Sequence, residues 1–225
     1  EFTIEAIVLL RSLYEDATVR TIVSQWNNDQ KTAGYALGVT SQKSAYQPRN
    51  LILQLIGKTD SAAVQYEVIA SNIHLDLNKP YYVSVRVKAG DTSESGITFT
   101  VQELSDNTPV QSVQVKHQVK SNFVSPHIST VIGGRHSTSR HHWEGLIDHI
   151  RISRRVLNDE ELLLNQEDLP QDVIADWNFE KDLKDSSTAK NDLKSYEGTS
   201  SDPLQTALVD LAHALLNCNE FLYVD

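Results

Sequence analysis

Two carboxylates held about 5 Å apart over a groove cleave glycosidic bonds, one as acid and one as nucleophile. One sequence form of such a pair is Glu-x-Asp-x-x-Glu, whose first two acids share a strand face. This 225-residue chain has 30 Asp and Glu side chains but no run of that form. Glu144 and Asp148 stand four apart around Gly145, and Asp159-Glu160-Glu161 reads as a helix first turn, where acids complement the dipole. No catalytic residue is therefore expected, and glycoside hydrolysis is the disfavoured reading.

Binding chemistry has better candidates. Arg135, His136, Arg140, His141, His142, Arg151, Arg154 and Arg155 form a basic island in a chain of net charge −10. Arginine suits bidentate binding of carboxylate or sulfate, which makes an anionic glycan a candidate ligand. Pairing with the chain's own acids is the plainer alternative. Trp26, Trp143 and Trp177 could each stack on a sugar ring, and Trp143, between His142 and Glu144, is the best exposed candidate. The candidate ligand set is Trp143, Arg135, Arg140 and His142.

Metal chemistry is weaker. Alternation places Asp148 in register with Leu146, Ile150 and Ile152, which predicts a partly buried carboxylate in need of a partner. Arg135, Arg140, Arg155 or turn amides could tie it down, and this structural reading is favoured. Calcium is the functional alternative. Asp29, Asp106 and Asn107 are further loop oxygen donors, but these residues also simply form turns. His127, His136, His141, His142 and His149 crowd together, yet zinc needs converging ligands, and adjacent histidines on a strand point apart. His213 reads as surface.

The elements that would position these groups are strands. A chain of this length can bury one sizeable core, or one core with a satellite segment. Forty per cent hydrophobic and 22% charged residues exclude disordered and fibrous classes. The acidic balance argues against general affinity for nucleic acid phosphates. Cys218 stands alone, so no intrachain disulfide, CxxC knuckle or haem attachment is available, and no run of eighteen apolar residues exists. Phe2 opens directly into a strand pattern, with no initiator methionine or signal peptide, as in a piece of a longer polypeptide with any targeting signal upstream.

Phe2–Leu10, Val19–Trp26, Gly34–Thr40, Leu51–Ile56, Tyr66–Ala70, Tyr81–Lys88, Ile97–Leu104, Val110–Val119 and Thr130–Gly133 read as strands between turn-forming clusters. Gly145–Ser153 follows, and then a short helix capped by Asn158 and Glu161, with Leu157 and Leu162 as a hydrophobic staple. Strand after strand without helical period predicts an antiparallel sandwich or barrel.

An ordered series of motifs resembles the laminin-G-like, concanavalin A-like sandwich domains over about residues 1–165. Phe2-Thr3-Ile4-Glu5-Ala6 is similar to the family's opening strand, with Ile7 where tryptophan is usual. Ile22–Gln25 and Gly34–Val39 resemble its next hairpin, Asn78–Val85 its "G-x-W-x-H-V-A-V" strand, Ile132-Gly133-Gly134-Arg135 its "L-G-G" strand, and Gly145–Leu163 its closing strand and helix. The usual "Y-V-D-G" turn is replaced by Thr100–Asn107. The resemblance implies an all-β jelly-roll sandwich, and it adds the precedent of calcium at a sheet rim.

Beyond Leu164, Asp172–Glu180 with Asp185-Ser186-Ser187 resembles the same family's "W-x-F … D-S-S-G" segment, which normally precedes the first strand. Here it is expected as an added edge strand, about 172–180, within a sandwich of residues 1–198. Asp202-Pro203 opens an amphipathic tail helix with Leu204, Leu208, Leu211 and Leu215 on one stripe, in a separate tail of residues 199–225. The ending Leu211–Asp225 resembles that of planctomycete-type multidomain proteins with cytochrome-c-like domains. That implies an exported, periplasmic or cell-surface parent. The expectation is a non-catalytic module binding polysaccharide or protein domains, with a scaffold that docks other domains as the alternative.

Overall fold

The computed structural model describes residues 1–195, except Ala62, Asp106, Asn107, Asn122, Pro126, Ser137, Ser139 and Glu167. The tail helix and its planctomycete-like ending lie outside the described residues. The strands are β1 (Phe2–Leu10), β2 (Arg20–Gln25), β3 (Gly34–Val39), β4 (Asn50–Lys58), β5 (Val64–His74), β6 (Pro80–Val87), β7 (Ile97–Glu103), β8 (Gln111–Val115), β9 (Val131–Ile132), β10 (Gly145–Ser153) and β11 (Val173–Trp177). They form a six-stranded sheet, β11-β10-β1-β6-β7-β8, and a five-stranded sheet, β5-β4-β3-β2-β9, with antiparallel pairing throughout.

Period-two alternation makes the core. Ile4, Ala6, Val8 and Leu10 of β1, Val83, Val85 and Val87 of β6 and Ile97, Phe99 and Val101 of β7 face Tyr35, Leu37 and Val39 of β3 and Leu51, Leu53 and Leu55 of β4. Each fully buried aliphatic or aromatic side chain contributes about 1.5–3 kcal/mol relative to exposure. Among the described residues no helix is long and apolar enough to cross a membrane.

The outer face of the six-stranded sheet is polar yet buried. Glu5 lies opposite Arg151 and Ser84 across the neighbouring strands. The chain from Arg154 to Leu164 runs over this face and sets Leu157 and Leu162 against Tyr82. The helix expected here is a single 3₁₀ turn, Asp159–Glu161. In an α-helix the Leu163 N–H would turn back to Asp159. Instead Leu162 goes extended (ψ 146°), and Leu163 N–H donates to Glu5 Oε1 at 2.6 Å, where Tyr82 also donates its hydroxyl at 2.8 Å.

β11 is an edge strand on β10, anchored by an aspartate. Asp185 accepts the backbone N–H groups of Asp176 (2.9 Å), Ser187 (2.8 Å) and Asn191 (2.7 Å). Burial alone would raise its pKa, but these donors outweigh it and hold the carboxyl below the ordinary value. Asp176 in turn binds His149 Nε2 at 2.8 Å and Arg151 Nε at 2.9 Å. Trp177 is buried in the core, and Phe179 lies past the strand end.

Candidate functional site

Within the five-stranded sheet β4 is buried on both sides, Leu51 to Ile56 without a break. The sheet's outward row includes Trp26, just past β2, Ile52, Gln54 and Ile56 of β4, and Tyr66 and Val68 of β5. Between them β3 turns out only Gly34, Ala36 and Gly38, so the middle of this face is a floor of backbone. A Cβ on Gly34 would stand 2.5 Å from the Gln25 carbonyl oxygen and 2.9 Å from Trp26 Cβ. Glycine there is what lets the indole lie down on Ala36 and Ile56. Tyr66 stacks on it, with centroids 5.7 Å apart and planes 23° apart.

Arg135 enters this floor from the side. It follows the Gly133-Gly134 turn after β9, whose residues pair with β2. Its side chain crosses the small row of β3 and ends 4.9 Å from the Trp26 ring centre. Nε donates to Thr21 Oγ1 at 2.9 Å, Nη1 to Asn28 Oδ1 at 2.6 Å, and Nη2 to Gln54 Oε1 at 2.5 Å. Gln54 donates onward to the Tyr66 hydroxyl at 2.5 Å. Arg135 is 2% exposed, and burial pulls its pKa down to about 10, so it is charged at neutral pH.

Above this network lies a depression of about 350 Å³ lined by Trp26, Asn28, Tyr46, Gln54, Tyr66 and Arg135, with His141 and the Thr40–Ser44 turn at its margin. Tyr46 is 43% exposed. His141 is driven down to about 4, by burial first and by Arg135 second, so it is a neutral wall. The site offers aromatic faces, amide and hydroxyl groups and one buried cation, in a volume that suits a single sugar residue or a compact polar ligand.

The residues singled out from sequence scatter around this feature. Arg135 and His141 line it; Trp143, Arg140 and His142 do not. Trp143 is half-buried, packs against the core, and donates its indole N–H to Leu146 O at 3.1 Å. Arg140 pairs with Asp16 and Thr18. His142 is exposed, and its carbonyl accepts from Arg20, which also holds Glu144 at 2.9 Å and stacks on Tyr14. Those contacts fasten the loop before β10.

Asp148 is not the half-buried carboxylate expected. The β1–β10 register slips so that Ile7 faces His149 while Val8 faces Ile147, leaving Asp148 as the extra residue of a bulge. It is exposed, and Ile147 rather than Leu146 packs inward. Among the described residues no three His, Cys, Asp or Glu side chains converge as a metal site requires.

Trp26, named from sequence as a possible stacking ring, lies in the site but buried beneath it, whereas Gln54, Tyr66 and Tyr46 are site residues that the sequence reading does not single out. The available signals were the outward series Gly34, Ala36, Gly38, which marks an open floor, and Gln54 among apolar neighbours on a doubly buried strand.

No family model matches the chain, and no curated protein matches it. Solved structures do. Full-length tailspike protein 2 of the Escherichia coli O157:H7 bacteriophage CAB120 gives TM-score 0.54 at 10% identity, over 79% of this chain and 23% of that one. The enzymatically active domain of bacteriophage CBA120 tailspike protein 2 gives 0.52 at 9%, over 78% and 26%. A putative carbohydrate binding protein from Bacteroides ovatus gives 0.51 at 13%, over 79% and 45%. The chain thus spans about a quarter of the tailspike proteins it matches. Identities this low show the fold alone, a jelly-roll sandwich.

Proposed function

We propose that this chain is a non-catalytic carbohydrate-binding module of a longer, exported protein, and that the sugar seats in the depression on the five-stranded sheet. The observation that carries the reading is the stacked Trp26–Tyr66 pair beside exposed Tyr46, set among Asn28, Gln54 and Arg135. A pyranose has an apolar face that aromatic rings cover and equatorial hydroxyls that amides and guanidinium bind. The sheet floor supports a ligand from one side without enclosing it.

The competing reading is a scaffold that docks other domains of its own protein. It draws on Trp26 being 2% exposed, so that tyrosines and not tryptophan present the stacking surface. A glycan array probed with the chain separates the two. Binding that is lost in a folded Tyr46→Ala/Tyr66→Ala variant supports the module, and silence across the array supports the scaffold.

A further inference from the structure

Among the described residues three arginines are buried, and two of them meet a carboxylate: Arg20 meets Glu144, and Arg151 meets Asp176. Arg135 is the exception. Its three hydrogen-bond partners are the neutral side chains of Thr21, Asn28 and Gln54, and among the described residues no Asp or Glu reaches it. The contrast is sharp because the chain has 30 acids against 20 Lys and Arg. None of the residues lining the depression is acidic.

A buried charge costs several kcal/mol unless paired, and an unpaired one projects a positive potential into the nearest opening. That opening is the depression. The neighbouring cation Arg140 is already answered by Asp16, and His141 is neutral.

The position of Asn28 shows how an anion could arrive. It is an exposed rim residue at positive φ (68°), and its side-chain oxygen holds Arg135 Nη1 at 2.6 Å. A single exposed side chain therefore stands between Nη1 and solvent ligands. A carboxylate or sulfate oxygen in its place would add the attraction of opposite charges to a bond that now runs from a cation to a neutral amide oxygen.

We infer that the depression selects a sugar bearing a carboxylate or sulfate, whose oxyanion takes the place of the Asn28 amide oxygen on Arg135 while the ring lies against Tyr66 and Tyr46. The inference rests on the carbohydrate-binding reading and narrows it to anionic sugars.

The test is an array on which each oligosaccharide appears in charged and neutral form: uronides beside their methyl esters, and sulfated galactosides beside unsulfated ones. The expected result is binding to a charged member about tenfold or more tighter than to its neutral twin, weakening with salt. The uronide and sulfate arms tell carboxylate from sulfate. Asn28→Asp places a carboxylate on Arg135 permanently, so it should melt at or above the wild type and lose the charged ligand. Equal binding of charged and neutral twins overturns the inference and leaves the carbohydrate module standing. A folded Asn28→Asp chain that binds the charged ligand unchanged also overturns it, because the oxyanion then lies elsewhere. Silence across the whole array removes both readings.

Discussion

Arg135 and Trp26 form one unit: the guanidinium carbon stands 4.9 Å from the centre of the indole ring, and the same indole stacks on Tyr66 at 5.7 Å. Residues from the β2 end, the turn after β9 and β5 thereby share one surface, joined through Gln54. Nothing in the core requires this arrangement, because Leu51, Leu53 and Leu55 on the opposite face of β4 already fill it. A cation–π contact and an aromatic stack add about 0.5–2 kcal/mol each when desolvated, which is enough to hold the geometry rigid before a ligand arrives.

Tyr66→Ala should therefore cost both stability and binding. Loss of the stack and of a half-buried ring is expected to lower unfolding free energy by about 2 kcal/mol. Sugar affinity should fall about tenfold. Tyr66→Phe keeps the stack and loses only the acceptor for Gln54, a change of about 0.5–1.5 kcal/mol, and should retain most binding. Denaturant unfolding and calorimetric titration read the two quantities separately. A folded Tyr66→Ala chain with wild-type affinity would place the site elsewhere.

Gly34→Val tests the floor itself. The new side chain would collide with the Gln25 carbonyl at 2.5 Å and Trp26 Cβ at 2.9 Å, and the first of these is strand backbone that cannot retreat cheaply. A loss of about 1–3 kcal/mol is expected, with the indole emission of Trp26 shifted red as the ring is lifted into solvent. Wild-type stability and an unshifted spectrum would show that the floor is not what seats the indole.

The sandwich was legible in the residues because strand-length runs of apolar and β-branched residues stand between turn-forming clusters; Phe2–Leu10 is β1 to the residue. The bulge at Asp148 was not, because it exists only in the register between β1 and β10 and leaves no mark in the spacing of apolar residues. The candidate site is legible only in part: Arg135 and His141 stand out in the basic island and Trp26 as an aromatic ring, but Arg140, His142 and Trp143, the companions that sequence proximity suggests for Arg135, do not line it. The actual partners of Arg135 lie 81 to 114 residues away, brought in by strand pairing. The short helix failed for a related reason: its cap was readable, but the pull of Glu5 on the Leu163 N–H was not.

Asp185→Ala should release β11 from the sheet edge. Three backbone N–H groups lose their acceptor, and each unsatisfied group costs about 1–3 kcal/mol before water reaches it, so a net loss of about 2–4 kcal/mol is expected. Because the folded carboxyl sits below its ordinary 3.8, its stabilisation is present above that pH and disappears as pH falls through the lower folded value. The variant should therefore lack that part of the wild type's acid sensitivity, and its Asp176 amide should exchange faster. Protection at Asp176 equal to wild type would mean that β11 is held by other contacts.

Glu5 carries the opposite sign. Burial pushes its pKa above the ordinary 4.5, and the Leu163 N–H, the Tyr82 hydroxyl and Arg151 offset this only in part. A carboxyl that binds its proton more tightly folded than unfolded stabilises the fold at low pH, and that contribution is lost as pH rises from 4.5 through the folded value. Glu5→Gln keeps an oxygen for Leu163 and Tyr82 and mimics the protonated acid, so it should match the wild type most closely below pH 4.5. From there its stability relative to wild type should climb with pH and level off once Glu5 is ionised in the folded chain. Denaturant midpoints for both proteins at a series of pH values measure that difference directly. A difference that stays flat, or that falls with pH, would show that Arg151 and the hydrogen bonds outweigh burial at Glu5.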